Sequence, residues 1–410
     1  MKRLYYFTDA YPFSVDYTWK SAEIKAAADL FEEVIIVPYT YRKDNEFSFP
    51  ENVRVEKPTL GKSLFAKPKH LWRLFALSQP QNWLKELLRA LPKGKQAIIS
   101  WYLATIYSHI IIQKPIFKEL KSLDEKDKAV LFFQWTMNNA LLVPNLKSWG
   151  FKHIVCRMHG FDLYEFRHQG YLPYKATILE AVTVCTFISE HGKKYAENLY
   201  PFINSKAKVH YLGANPFPKN ILNDESEFHL LSISRAVPLK RLNLVLEALK
   251  VIDFPIKWTH IGDGPSLSSL QEDAKELMQH RSDIEVIFTG WLDPAEIEDF
   301  VGSHSVNALI LVSETEGLPV AIMEAFSAGI PAIATDVGGV SELVDEDNGI
   351  LLSADPTVEE IQYSIIKLKQ EVRGMCENRR TAALQKYSQN FELKRNSKSF
   401  AEFLLKQTTN

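Results

Sequence analysis

Cysteine is scarce in this chain: three residues occur among 410, and no two are spaced as a metal-binding pair. This count excludes a disulfide-stabilised scaffold and a Cys-based zinc module, and it favours a reducing compartment. Hydrophobic runs are short as well. The stretch Ile106–Gln113 is far below the length that crosses a bilayer, and Lys114 and Pro115 follow it. Lys2 and Arg3 lead straight into an apolar strand, so we expect no signal peptide and a cytoplasmic location.

Two motifs of other enzyme classes are also missing. No G-x-G-x-x-G follows the first predicted strand, which disfavours an NAD-dependent dehydrogenase. No D-x-D pair stands at the end of a strand, since Asp293, Asp299, Asp345 and Asp347 lie in helical or turn contexts. We therefore expect chemistry without a metal ion or other cofactor.

The composition is that of a soluble globular protein, with 46% hydrophobic and 24% charged residues. The length exceeds what one core usually supports, so two domains are expected. Residues 1–215 carry 30 basic and 20 acidic residues, net +10, whereas residues 216–410 carry 18 and 30, net −12. A basic first half suits an anionic lipid surface or a phosphate-bearing acceptor, and ordinary solvated surface is an equal alternative.

Strands and helices alternate along the second half. Apolar runs at 229–234, 256–262, 283–290, 307–313 and 331–335 are separated by helical patterns. This alternation predicts parallel βαβ units with right-handed crossovers. The runs are apolar without a two-residue period, as expected of strands covered by helices on both faces.

The first half repeats the pattern less regularly. Strands are predicted at 4–8, 34–37, 97–100, 130–134, 153–158, 182–188 and 208–211. Helices are predicted at Trp19–Leu30 and Lys69–Leu91, the second of which should break at Pro80.

The fold class predicted is α/β, with two doubly wound, Rossmann-like domains. The Gly/Pro-rich segment 212–218 has the punctuation of an interdomain connection. We therefore predict a first domain at 1–213, a second domain at 214–389 and an apolar-periodic helix within 390–410. The ligand cleft is expected between the domains, at the carboxyl ends of their strands.

The stretch ETEGLPVAIMEAFSAGIPAIATDVGGV is the most informative part of the chain. It has the pattern of a strand end, a tight turn, a short helix and a second strand. Glu316 and Glu324 bracket the helix start, and Pro319 fits its first turn. The amides of Gly317 and Leu318 would lie where the helix dipole attracts phosphate. Carboxylates on either side can hold hydroxyls of a sugar and a ribose, so the stretch predicts a nucleotide-sugar site.

Cations and glycines follow the preceding strands of this half. Arg235 stands at the carboxyl end of one strand, and Lys240 follows just before a helix. The two could neutralise a diphosphate, although a surface pair flanking an ordinary loop is the commoner origin of such spacing. Gly262 and the Gly290–Trp291 pair follow the next two strands. Either a close approach to a ligand or an ordinary turn would explain these glycines.

The first half offers a histidine in a comparable position. His159 follows a strand in the turn HGFD and could bond a sugar hydroxyl or cover its reactive face. A capped loop with a hydrogen-bonded histidine is the commoner alternative. Ser189 is predicted to cap a helix. The segment Tyr11–Lys20 joins the first strand to a helix and could meet an acceptor.

In this order and spacing, the motifs resemble the retaining family 4 glycosyltransferases of the GT-B fold. The resemblance is weak before His153 and strong from Arg235 to Glu342. Its most specific element is the E-x7-E signature from Glu316 to Glu324, followed by the sequence AFSAGIP. The HGFDLY segment and its surroundings are similar to enzymes that build bacterial exopolysaccharide, O-antigen and capsule.

The resemblance implies a role for each matching residue. Arg235 and Lys240 would hold the diphosphate of a UDP- or GDP-sugar. Glu324 would bind the ribose and Glu316 the transferred sugar, and His159 would lie across the cleft near the sugar's hydroxymethyl group. The residues implied to act in catalysis are Arg235, Lys240, Glu316 and His159. The implied donor-binding set is Arg235, Lys240, Gly262, Gly290, Trp291, Glu316, Gly317, Leu318 and Glu324.

The chain departs from the family pattern in two loops. Many members have a Gly-Gly loop after the first strand, whereas the 11–20 segment here contains no glycine. Many members also have Gly-Phe-Gly-Leu after the first glutamate, where this chain has Gly317-Leu318-Pro319. The first departure implies a differently shaped entrance for the acceptor, and the second keeps the helix start.

The resemblance also implies domain roles, a mechanism and partners. The domain at 1–213 would bind the acceptor, the domain at 214–389 would bind the nucleotide-sugar, and the helix within 390–410 would return to the first domain. Protein cations would stabilise the leaving diphosphate in place of a metal, and the anomeric configuration would be retained by a same-face route. The acceptor would be a saccharide or lipid-linked saccharide, with no role for nucleic acid. A catalytically silent GT-B subunit and a GT-B sugar-nucleotide epimerase are the alternatives. Lys57–Arg73 mixes basic and apolar residues and could contact the inner face of an anionic membrane, or simply lead into a packed helix.

Overall fold

The computed structural model describes residues 2–14, 18–42, 47–60, 80–222, 227–371 and 373–409. The chain divides into two compact units. Unit 1 comprises Met1–Tyr211 with Lys394–Asn410, and unit 2 comprises Leu212–Leu393. The last helix of the chain therefore belongs with the first unit.

The described part of unit 1 contains a seven-stranded parallel sheet in the order β3-β2-β1-β4-β5-β6-β7. Its strands are β1 (Arg3–Thr8), β2 (Glu33–Pro38), β3 (Val53–Val55), β4 (Ala129–Phe133), β5 (His153–Met158), β6 (Val184–Phe187) and β7 (Ala207–Val209). Its helices up to the connection with unit 2 are α1 (Thr18–Ala28), α2 (Pro80–Ala90), α3 (Lys95–Ile111), α4 (Pro115–Ser122), α5 (Val143–Ser148), α6 (Gly160–Leu163), α7 (Lys175–Ala181) and α8 (Glu190–Leu199).

The described part of unit 2 contains a six-stranded parallel sheet in the order β10-β9-β8-β11-β12-β13. Its strands are β8 (Phe228–Ile233), β9 (Ile256–Ile261), β10 (Ile284–Gly290), β11 (Ala308–Leu311), β12 (Ala332–Thr335) and β13 (Gly349–Leu352). Its helices are α9 (Leu242–Lys250), α10 (Leu267–His280), α11 (Pro294–Ser303), α12 (Val320–Ser327), α13 (Val340–Leu343), α14 (Val358–Gln370) and α15 (Arg373–Asn390). The helix α16 (Leu393–Lys406) then leads back into unit 1.

The prediction of doubly wound parallel sheets is confirmed, and its apolar strands are buried on both faces. In unit 1, alternate residues of β4 supply the two cores. Phe133 stacks on Phe7 of β1 with ring centroids 4.2 Å apart, in the core that also contains Phe117. Phe132 points the other way, where its ring lies 5.0 Å from that of Phe400. Side chains that alternate across a strand explain why this sheet reads as a continuous apolar run.

One predicted strand is wrong. Residues 97–100 lie in α3, whose buried residues Ala97, Trp101, Ala104 and Ile111 recur at helical spacing. A four-residue apolar run is too short to distinguish the two structures. The prediction also omitted β3 and β13, the short strands at one edge of each sheet.

Several predictions fall partly outside the described residues. These are residues 61–73 of the basic–apolar segment, residues 69–79 of the long helical run, and residues 15–17 of the loop after β1. Within the described ranges, α2 begins at Pro80, where the run was predicted to break. No described helix is long and apolar enough to span a membrane.

The chain passes between the units twice, and the two passages are hydrogen-bonded to each other. The Ala214 N–H donates to the Phe391 carbonyl at 3.0 Å, and the Leu393 N–H donates to the Ala214 carbonyl at 3.2 Å. A Cβ on Gly213 would lie 2.5 Å from the Leu393 Cα. Only glycine therefore lets the two segments approach this closely. The sequence prediction had put the corresponding boundaries at 213/214 and 389/390.

Helix α16 is fixed in unit 1 by a buried charge. The Arg157 guanidinium carbon lies 3.9 Å from the centroid of Phe400. Arg157 Nη1 also donates to Glu23 Oε1 at 2.7 Å, and the Tyr6 hydroxyl donates to Glu23 Oε2 at 2.5 Å. Arg157 is 1% exposed, so its charge is stable there only because a carboxylate and aromatic faces surround it.

Replacing Phe400 by Ala should destabilise unit 1, because it opens a cavity and uncovers one face of the buried guanidinium. We expect a loss of about 3–5 kcal/mol in the free energy of unfolding, measured by denaturant titration of the full chain. Leu88→Ala is the control, since Leu88 is 61% exposed on α2 and its truncation should cost less than about 0.5 kcal/mol. Equal effects of the two substitutions would show that α16 does not depend on this contact.

Candidate active site

The predicted donor residues of unit 2 follow strands that end at one edge of its sheet. The strand order reverses between β8 and β11, so a ligand site is expected beside the loops that follow these two strands. Arg235 and Lys240 belong to the loop after β8, and Glu316, Gly317 and Leu318 to the loop after β11.

The two loops meet through an ion pair and a backbone hydrogen bond. Lys240 Nζ lies 2.5 Å from Glu316 Oε1, and the two side chains are 20% and 12% exposed. The Glu314 N–H donates to the Leu239 carbonyl at 2.9 Å. The sequence predicts both residues of the pair but not their contact, since they are 76 positions apart.

Arg235, by contrast, is exposed. Its guanidinium has no hydrogen bond or ion pair with any residue in the described ranges. Backbone bonds nevertheless fix its position, since the Ser234 N–H donates to the Ile261 carbonyl and the Ala236 N–H to the Asp263 carbonyl, both at 3.0 Å. The guanidinium therefore remains available to an anion.

Arg241, which is not among the predicted site residues, ties three loops together. Its Nε donates to the Val312 carbonyl at 2.7 Å. Its Nη2 donates to the Ser313 carbonyl and to the Ala354 carbonyl, both at 2.9 Å. Nη1 donates to Asp355 Oδ1 at 2.9 Å. Arg241 has φ +48°, a left-handed conformation that non-glycine residues rarely adopt. The four bonds offset this strain and hold the neighbouring Lys240 beside the end of β11.

The glycines after β9 and β10 allow loops to pack against one another. A Cβ on Gly262 would lie 1.8 Å from the Ser234 carbonyl oxygen, and its N–H donates to the Gly290 carbonyl at 2.8 Å. Gly262 and Gly290 have φ +144° and +72°. Gly262 therefore lies against the loop that contains Arg235. Trp291, the residue after Gly290, is 55% exposed.

Helix α12 begins one residue later than predicted. Pro319 is its N-cap, with φ −73° and ψ 115°, and Val320 is the first helical residue. The Gly317 carbonyl accepts from the Gly339 N–H at 2.9 Å, which fixes the turn against the glycine loop after β12. The N–H groups of Gly317 and Leu318 have no hydrogen-bond partner among the described residues. They are oriented donors at the positive end of a helix, an arrangement suited to an anion.

Glu324 lies one turn into α12 in an environment that favours its neutral form. Burial, with a smaller contribution from the nearby Glu298 carboxylate, raises the pKa of Glu324 to about 8. The side chain is partly accessible to solvent. A protonated carboxyl can donate one hydrogen bond and accept others, which suits a pair of vicinal hydroxyls.

His159 lies in unit 1. Its loop is capped, as the commoner alternative requires, but its imidazole is not hydrogen-bonded to any described residue. Its backbone N–H donates to Asp162 Oδ1 at 2.7 Å, so the loop is capped. The imidazole lies against Trp135 and Trp19, with ring centroids 4.3 and 6.0 Å away. Neither ring nitrogen has a hydrogen-bond partner among the described residues. Burial, then the charges of Arg157 and Lys20, hold its pKa well below the usual value.

The other predicted capping residue behaves as expected. Ser189 Oγ accepts from the Gly192 N–H at 3.0 Å at the start of α8. That prediction is confirmed, and Ser189 is assigned to helix stability.

Arg241→Ala should lower the free energy of unfolding by roughly 2–4 kcal/mol, since it removes four hydrogen bonds and leaves a Cβ at positive φ. Arg241→Gly loses the same bonds but relieves the backbone strain, so it should be about 1 kcal/mol less destabilised than the alanine variant. Denaturant unfolding of the full chain measures both. Wild-type stability in both variants would mean that the guanidinium does not hold these loops.

The stability contribution of Glu324 should depend on pH. Its folded pKa of about 8 lies above the ordinary 4.5, so the folded state retains a proton that the unfolded state releases. This contribution is therefore full below about pH 4.5 and is lost as the pH rises through about 8. The Tm of Glu324→Gln relative to that of the wild type should therefore rise from about pH 4.5 to about pH 8 and stay constant above that. Glu272→Gln, on the exposed face of α10, is the control and should follow the wild type. Parallel Tm curves for Glu324→Gln and the wild type would contradict the shift.

Comparison with known proteins gives a family match in the second half of the chain. Residues 214–386 match the family model described as "Glycosyl transferases group 1". The O-antigen biosynthesis glycosyltransferase WbnH of Escherichia coli is 31% identical over 147 residues, 36% of this chain and 39% of that protein. The N-acetyl-alpha-D-glucosaminyl L-malate synthase of Bacillus anthracis is 30% identical over 168 residues, 40% of this chain and 42% of that protein. The chain thus spans about two fifths of the length of these relatives.

Solved structures match over nearly the whole chain. Anabaena Alr3699/HepE in complex with UDP has a TM-score of 0.64 at 16% identity, covering 98% of this chain and 99% of that one. The lipopolysaccharide outer core galactosyltransferase WaaB has a TM-score of 0.67 at 15% identity, with the same coverage. At these identities the likeness shows the fold, which is GT-B with two Rossmann-like domains. The sequence match to the group 1 glycosyl transferases covers residues 214–386, which is less than half of the chain.

Proposed function

We propose that this protein is a retaining, metal-independent glycosyltransferase that moves a sugar from a nucleoside-diphosphate sugar to a saccharide or lipid-linked saccharide acceptor. The observation that carries the proposal is the Lys240–Glu316 pair beside the start of α12, within the part of the chain that matches the family. Relatives named for O-antigen and teichuronic acid biosynthesis support a product in bacterial surface polysaccharide. Structures of HepE with UDP and with UDP-glucose support a UDP-sugar over a GDP-sugar.

The barrier to transfer is the departure of a diphosphate while positive charge builds on the sugar ring. Arg235 can offer two parallel N–H groups to phosphate oxygens, and Lys240 a compact positive charge. The amides of Gly317 and Leu318 add donors that need no reorganisation. These groups match the leaving phosphates in charge and in hydrogen-bonding capacity.

The ion pair gives Glu316 a second role in this proposal. In the free protein it keeps Lys240 in place and partly neutralised. An arriving phosphate would compete for Lys240, which frees the carboxylate to accept hydroxyls of the transferred sugar. Glu324, one helical turn further on, is suited to the ribose hydroxyls. Donor binding would thus be coupled to formation of the sugar site.

Retention is proposed through a same-face route, in which a leaving phosphate oxygen takes the acceptor's proton. A double displacement would require a carboxylate close to the anomeric carbon. Glu316 is the candidate, but its contact with Lys240 favours binding over nucleophilic attack. Analysis of the anomeric configuration of the product by NMR tests retention directly.

Arg235→Ala and Lys240→Ala should each reduce kcat by about 10²–10³, because each removes a positive charge from the departing diphosphate. The assay is release of nucleoside diphosphate from UDP-glucose, UDP-galactose and GDP-mannose, with saccharide acceptors and with EDTA present. Lys250→Ala is the control, since Lys250 forms an exposed pair with Glu247 on α9 and should leave the rate unchanged.

The same assay separates the alternatives. Release that requires no acceptor would indicate an epimerase, and no release with any donor would indicate a silent subunit. Turnover that disappears with EDTA, or near-normal turnover in both variants, would contradict the proposal.

A further inference from the structure

Unit 1 contains a group of buried polar side chains without partners, at the ends of two neighbouring strands. Gln134, directly after β4, is 0% exposed, and neither its amide oxygen nor its amide nitrogen is hydrogen-bonded to any described residue. His159, directly after β5, is 7% exposed with both ring nitrogens unpartnered in the same sense. The indole N–H of Trp135 also has no partner there. Buried polar groups are nearly always paired, so five such atoms together require an explanation.

The strand register brings these residues to one place. Phe133 of β4 is paired with Cys156 of β5, so Gln134 is level with Arg157 on the neighbouring strand. His159 follows Arg157 by two residues. Side chains at i and i+2 share a face, so Gln134 and His159 belong to the same side of the sheet. The Trp135 ring lies 4.3 Å from the imidazole, which completes the group.

The charges nearby exclude an anion as the natural ligand of this group. Arg157 is paired with Glu23 at 2.7 Å, and Lys20 with Asp9 at 3.1 Å, so each cation already has a carboxylate partner. The Asp162 carboxylate, 3.9 Å from His159 Nδ1, accepts instead from the backbone of His159 and Thr136. Burial and the two cations keep the imidazole neutral, so it offers one donor and one acceptor. Gln134 offers the same two kinds of atom.

We propose that Gln134, Trp135 and His159 form a subsite for vicinal hydroxyls of a neutral sugar ring, in which Gln134 determines which hydroxyl pattern is accepted. An amide and a neutral imidazole can each donate to one hydroxyl and accept from another. The indoles of Trp135 and Trp19 provide flat apolar surfaces for the ring's C–H faces. A site built this way discriminates strongly, because a ligand that lacks the hydroxyl leaves buried groups unpaired.

The inference rests on the proposed transferase function only for the identity of the ring as a sugar. That ring could belong to the acceptor or to the donor, and the chemistry of recognition is the same. The experiment therefore has two arms and a readout that does not need turnover.

The variant is Gln134→Met, which keeps the volume and removes both hydrogen-bonding atoms. The matched control is Gln362→Met on α14 of unit 2, where the amide donates to the Val251 carbonyl at 2.8 Å. In the first arm, tryptophan fluorescence of the full chain is titrated with free glucose, galactose, mannose and their single deoxy derivatives. In the second arm, the probes are UDP-glucose, UDP-galactose and GDP-mannose.

We expect Gln134→Met to weaken binding at least tenfold in one arm, whereas Gln362→Met binds as the wild type does. The deoxy sugar that lacks the hydroxyl recognised by Gln134 should bind the wild type and Gln134→Met with equal affinity, because it cannot form that hydrogen bond with either protein. The Tm of Gln134→Met should be unchanged or higher, because an unpaired buried amide has been removed; a purely structural glutamine would give a lower Tm.

Unchanged affinity of Gln134→Met in both arms would overturn the subsite, as would a fall in Tm with an equal loss for every sugar. These results are distinct from failure of the proposed function. Weakened sugar binding without any nucleoside diphosphate release would retain the subsite and reject the transferase.

Discussion

The ion pair between Lys240 and Glu316 is the interaction on which the unit 2 site depends. It joins the loops after β8 and β11, the two strands between which the sheet order reverses. The contact with the Glu316 carboxylate holds the Lys240 side chain in position in the free protein. Arg241 makes this geometry stable, because its guanidinium bonds the carbonyls of Val312 and Ser313 at the end of β11.

In unit 1, by contrast, two buried cations are paired with carboxylates. Arg157 is paired with Glu23, and Lys20 with Asp9. Arg157 also lies against Phe400, so the network stabilises α16 as well as the end of β5. The result is that the cations near His159 are paired with carboxylates, while burial and their charges lower the pKa of its imidazole. One unit thus presents available positive charge and the other presents neutral hydrogen-bonding groups, a division that fits a phosphate-bearing donor and a carbohydrate.

Much of the fold follows from the sequence for simple reasons. Apolar runs such as those of β8 and β9 are long enough to be recognised as strands. Residues that follow parallel strands lie at the edge of the sheet where those strands end, so their positions can also be predicted. The run at 97–100 was misread because four apolar residues suit a strand or a helix equally, and α3 is recognised only when Trp101 and Ala104 are included. The edge strands β3 and β13 are too short to give a pattern.

The sequence predicts individual candidate residues of the site, but it does not predict their contacts. Glu316, Lys240 and His159 are predicted from their positions after strands. Their environments depend on residues distant in sequence, as in the pairing of Lys240 with Glu316. Arg241 could have been noticed as a second cation beside Lys240, although nothing in the sequence indicates its left-handed backbone. Gln134 has no sequence signal at all, since its significance lies in the absence of partners within a packed fold.

The most direct test of the account is a crystal structure of the full chain with UDP, grown in the presence of EDTA. The account predicts the β-phosphate within hydrogen-bond distance of Lys240 Nζ and of the Gly317 and Leu318 amides, with Glu316 released from the lysine. UDP bound elsewhere on the chain, or at this site with the Lys240–Glu316 pair intact and no contact to the phosphate, would contradict it.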